Sequence, residues 1–105
     1  MQIIHVKKFG DVLISRSAGL EAFGAIRPQL NPGQIVQIDF EGILTVTPSW
    51  LDEFLTHLTD YVGETVEIIP THNASVLAIL PTLAEARQDL VAKVAVRAMK
   101  EMEKK

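Results

Sequence analysis

Gln34-Ile35-Val36-Gln37-Ile38-Asp39-Phe40 (QIVQIDF, residues 34–40) is the stretch on which the fold turns. Ile35, Val36, Ile38 and Phe40 leave too little polar surface for a half-exposed edge. That density predicts a central strand covered on both faces. Downstream the period changes. Trp50, Leu51, Phe54, Leu55, Leu58, Tyr61 and Val62 recur at steps of three and four, which predicts an amphipathic helix from Ser49 onward. Thr47 or Ser49 caps it, Pro48 suits its first turn, and Gly63 suits its stop. Residues 65–69 (TVEII) read as a further strand, ended by Pro70.

Upstream, Ile3, Ile4 and Val6 predict a strand over residues 2–7, and Val12, Leu13 and Ile14 predict another. The short link between them contains Gly10, which suits a hairpin. Ser15 or Ser17 can cap a helix over 17–27 or 17–30, carrying Leu20, Phe23 and Ile26. Gly19 and Gly24 each weaken it by up to about 1 kcal/mol relative to Ala, and Pro28 ends or kinks it. Asn73 can cap a short helix through Leu80, which Pro81 should end. Thr82-Leu83-Ala84-Glu85 reads as a capping box, opening a last helix over 83–102. Strand–helix–strand units favour parallel pairing through right-handed crossovers. The expected architecture is α/β: a mixed sheet of about four strands, the hairpin supplying an antiparallel one, with helices packed on it and a long C-terminal helix. Residues 1–105 read as one domain, with 81–105 as a helical extension.

The chain has 105 residues, 48% apolar and 22% charged, which fits one core. A chain this size buries roughly two-thirds of its unfolded surface and needs no staples. Its net charge of −3 argues against a nucleic-acid partner, whose phosphates require a basic face. It has no cysteine, which excludes disulfides, thiol nucleophiles and thiolate metal sites. No apolar run approaches the ~20 residues that span a bilayer. MQIIHVKKFGDV lacks the order of a signal peptide. A cytoplasmic protein without membrane partner is expected.

Catalytic motifs are absent from the sequence. GxGxxG, GxxxxGK[ST], GxSxG and HExxH do not occur. His5, His57 and His72 lack a ligand spacing, although Glu53 and His57 are four apart on one helix face. Neither cofactor nor metal is expected. Asp39 and Glu41 fall at the end of a parallel strand, where α/β sheets bind ligands. They read either as a paired-carboxylate or metal site, or as a turn brace (Asp39) beside a solvated Glu41.

The segment Ile38-Asp39-Phe40-Glu41-Gly42-Ile43, with Thr47-Pro48-Ser49-Trp50-Leu51 and Phe54-Leu55, resembles a STAS domain. Ser15-Arg16 at the first helix and Asn73-x-x-Val76 after the last strand extend the likeness over roughly residues 10–90. The chain is most similar to the bacterial STAS-like domain family of unknown function, relatives of anti-sigma factor antagonists. The helix from residue 83 onward is not clearly part of the likeness. The resemblance implies a regulatory module that partners a signalling protein such as a kinase-like ATPase. In the antagonists a serine in the strand-to-helix turn is phosphorylated. Aligning Asp39 and Gly42 places Pro48 at that position and Ser49 one residue later. Trp50-Leu51 replaces the usual Gly-Leu.

Three readings follow. The first is a non-enzymatic interaction module whose partner-facing or regulatory patch comprises Thr47, Ser49, Trp50 and Asp52. Within it Ser49 reads as a modifiable hydroxyl or a plain cap, and Trp50 as an exposed anchor or core packing. The second is a small ligand-binding protein or enzyme using the strand ends near Asp39. The third is an oligomerising structural module, a homodimer through the C-terminal helix. Leu83, Leu90, Val91, Val94, Ala98 and Met102 share a broad face of that helix, interrupted by Arg87. Leu90, Val94 and Ala98 are the dimer candidates. The same face can instead close the domain's own core.

Overall fold

The structure, a computed structural model, describes residues 1–86 and 89–103. Its elements are β1 (Gln2–His5), a 3-10 turn (Val6–Phe9), β2 (Val12–Leu13), α1 (Arg16–Ile26), β3 (Val36–Asp39), β4 (Thr45–Val46), α2 (Pro48–Val62), β5 (Val66–Ile68), α3 (Ala74–Ala86) and α4 (Leu90–Glu103). The strands form two parallel sheets, one of order β1-β3-β5 and one of β2-β4.

β3 is the central strand, as its apolar density requires. Val36 and Ile38 are fully buried, and Phe40 just beyond it is 1% exposed. The register sets Ile4, Ile38 and Ile68 in one buried line across the sheet. The other face is more open than expected. Ile3, Gln37 and Glu67 form its parallel line, and Gln37 Nε2 donates to Glu67 Oε1 at 3.2 Å. Ile35 is 49% exposed, so the two-sided coverage expected for residues 34–40 holds for one face only.

The expected hairpin does not form. β1 pairs in parallel with β3, and β2 with β4. Val6 is pulled wholly into the core, which turns the end of the first strand into a 3-10 turn. Gly10, at φ 119°, then redirects the chain, a conformation most side chains avoid. The single mixed four-stranded sheet is therefore replaced by parallel sheets of three and two strands.

α1 and α2 pack closely because Gly19 has no side chain. A Cβ there would lie 2.6 Å from the Trp50 carbonyl oxygen. Ser15 caps α1, its Oγ accepting from the Ala18 N–H at 3.0 Å. Pro28 falls in a 3-10 turn that follows the helix.

The C-terminal third departs most. Pro81 sits inside α3, and residues 82–85 continue that helix rather than open a new one. Pro81 is exposed, so the hydrogen bond it cannot donate falls on the solvent side, while Ile79, Leu80 and Leu83 remain buried. The last helix starts at Leu90, with Asp89 Oδ1 accepting from Ala92 N–H at 3.4 Å. Its apolar face closes the domain's own core: Val91, Val94, Ala95 and Ala98 are buried. Two of the expected dimer residues, Val94 and Ala98, are thus spent on the core, and Leu90 is half-buried. Arg87 lies outside the described residues. No helix among the described residues is long and apolar enough to cross a membrane.

Candidate functional site

β2 and β4 lie side by side, and each leads directly into a helix. α1 and α2 therefore start at the same end of the small sheet. Thr47 locks the two starts together. Its N–H donates to the Leu13 carbonyl at 2.9 Å, its hydroxyl donates to the Ile14 carbonyl, and the same oxygen accepts from Trp50 N–H at 3.3 Å. Thr47 is thus the cap of α2, and Pro48 takes the first helical position. The start of α3 joins from the other side. Asn73 Oδ1 accepts from Val76 N–H at 3.1 Å, and its Nδ2 donates to the Ile43 carbonyl at 2.7 Å. Ser75 Oγ accepts from Val46 N–H at 3.2 Å. Three capped helix starts thus meet around β4.

A chain of charges crosses the α1–α2 seam. Arg16 Nη1 donates to Asp52 Oδ2 at 3.1 Å and to Glu53 Oε1 at 3.2 Å. The other oxygen of Glu53 lies 2.9 Å from His57 Nε2, and the His57 ring stacks on Phe23. The His57 hydrogen bond, then that of Arg16, holds the Glu53 carboxyl below its usual range despite partial burial.

The family model described as a STAS-like domain of unknown function (DUF4325) matches residues 21–75, just over half of the chain. The chain belongs to this family. Neither the curated proteins nor the solved structures compared with it gave a match. In this STAS-like domain the matched stretch runs from α1 to the start of α3. It includes Thr47, Ser49, Asp52, Glu53 and His57, while Ser15 and Arg16 precede it.

The four residues read as a surface patch divide. Ser49 is exposed at the second position of α2 and is not the cap. Thr47 and Asp52 are half-buried and hydrogen-bonded. Trp50 is 1% exposed and stacked on Phe54 with ring centroids 4.8 Å apart, so it is a core residue and not a surface anchor. Its ring stacks within the core, while its backbone carbonyl faces Gly19 of α1.

Asp39 braces its turn: Oδ1 accepts from Glu41 N–H at 3.0 Å, and Oδ2 lies 3.2 Å from His5 Nδ1. Glu41 is exposed. A cavity of about 590 Å3 opens between β5 and α4, lined by Gln37, Glu67, Pro70, Arg97 and Lys100 among others, but not by Asp39, Glu41 or Thr47. Sequence reasoning missed Arg16 as the centre of the charge chain. The i,i+4 spacing of Glu53 and His57 was the visible half of that signal.

Proposed function

We propose that this STAS-like domain is a non-catalytic regulatory module that works through protein contacts at the joint starts of α1 and α2. Its partner is a signalling protein of the kinase-like ATPase class. The observation that carries this reading is the exposed Ser49 hydroxyl on a rigid platform. Thr47 fixes the backbone beneath it, and Asp52, one turn on, is held by Arg16 from the neighbouring helix. A phosphate on Ser49 would lie in the first turn of α2, where the helix dipole favours negative charge. Pro48, at the position that accepts phosphate in the antagonists, has no hydroxyl.

The test is co-purification of a partner from native extract, followed by titration with Ser49→Glu and Asp52→Asn. Both are expected to shift affinity at least tenfold while the melting temperature moves little. Unchanged affinity in both removes this patch from the function. Trp50→Ala, by contrast, would report on core packing.

A further inference from the structure

The outer strands of the two sheets are treated differently. Beside β5, α4 supplies Arg97, whose Nη2 donates to the carbonyls of Glu64 at 2.5 Å and Val66 at 2.8 Å. That edge is occupied. β2 is an outer strand of the smaller sheet. Its Asp11 and Leu13 carbonyls face β4, accepting from Leu44 and Thr45 N–H at 2.8 and 3.2 Å and from Thr47 N–H at 2.9 Å. By strand alternation, the N–H and C=O of Val12 and the N–H of Ile14 point away from β4. The side chains there are apolar and open: Val12 is 47% exposed, Ile14 59% and Leu44 71%. An unpaired edge of this kind is a template for another strand.

Charge order selects the occupant. The edge reads Asp11, then Val12-Leu13-Ile14, then Ser15 and Arg16. Acid stands at one end and base at the other. Read antiparallel, this order is its own complement; read parallel, it sets acid on acid. We propose that β2 pairs with β2 of a second copy of this chain, antiparallel about a two-fold axis at Leu13. Val12 then lies opposite Ile14 of the partner subunit, twice over, as apolar cross-strand pairs. Asp11 falls opposite Ser15 of the partner subunit, one residue from Arg16 of the partner subunit. Among the described residues, Arg16 engages Asp52 and Glu53 through Nη1, which leaves guanidinium donors for Asp11. The contact between Asp11 and its own Lys7, at 3.5 Å and half exposed, competes weakly. Pairing merges two two-stranded sheets into one of four, and a lone two-stranded sheet is marginal. Ser49 and Asp52 take no part, so this dimer and the partner-binding reading stand or fall separately.

Sedimentation equilibrium on the full chain tests it. At high micromolar concentration the mass should approach that of two chains and fall to one on dilution. Ile14→Pro removes the outward N–H that donates to the Val12 carbonyl of the partner subunit, without touching the ladder to β4. Ile14→Lys places charge on an already exposed side chain. Each should raise the dimer dissociation constant at least tenfold, with the melting transition retained as the check on folding. A parent that stays monomeric at high micromolar concentration overturns the proposal. So does a dimer that persists unchanged in Ile14→Lys and Ile14→Pro.

Discussion

Two glycines on one helix show how local rules yield to contact. Helix propensity treats Gly19 and Gly24 alike. A methyl at Gly19 would meet the Trp50 carbonyl at 2.6 Å, whereas one at Gly24 meets nothing within 4 Å. Gly19→Ala should therefore cost about 1–3 kcal/mol through forced separation of α1 and α2. Gly24→Ala should gain up to about 1 kcal/mol. Urea midpoints of the two variants decide it, and equal shifts would contradict the close seam. Glu53 gives the pH-dependent counterpart. Its carboxyl titrates below its unfolded value, so its contribution is complete above pH ~4.5 and fades as pH falls through the lower folded value. Glu53→Gln should lose about 0.5–1 kcal/mol near pH 7, a partly exposed pair being worth little more. The gap from the parent should then close progressively below pH ~4.5. A gap that stays constant down to pH 3 would assign the loss to packing instead.

Among the elements, most caps and periods were legible locally, whereas the hairpin at Gly10 and the capping box at residues 82–85 were local readings that failed. The caps at Ser15, Thr47 and Asn73 and the stop at Gly63 rest on chemistry within a few residues. The strand at β3 and the stripe of α2 rest on hydrophobic density and period. Pairing partners were not legible, because Gln2 meets Val36 across the chain and nothing in residues 2–14 encodes that distance. Pro81 misled because the proline rule is local, whereas Ile79, Leu80 and Leu83 are held in one buried stripe by the core. The same limit hid the charge chain: Arg16 joins Glu53 only once α1 and α2 are adjacent. For α4 the two readings of its apolar face make opposite forecasts. Because Val94 is 1% exposed inside the core, Val94→Glu should abolish the cooperative transition and not release a folded monomer. Circular dichroism melting of the variant checks this, and a native-like melt would restore the helix as a free surface.

At the scale of the whole molecule, α4 closes the structure. It contributes Val91, Val94, Ala95 and Ala98 to the core and shields the β5 edge through Arg97. A chain cut after residue 86 should therefore lose its cooperative melt and bind hydrophobic dyes; a cut chain that melts like the parent would make α4 an accessory. Every strand pair in the described residues is parallel, and parallel pairs join only after distant segments meet. The arginine that shields β5 lies beyond every strand in the order of synthesis. While the ribosome adds the 14 residues of α4, roughly one to three seconds at ~5–20 residues per second, β5 carries bare carbonyls on a nascent chain that cannot yet close. In that interval the guard on the sheet must come from the cell, so newly made copies are open to chaperone capture in a way that finished ones are not.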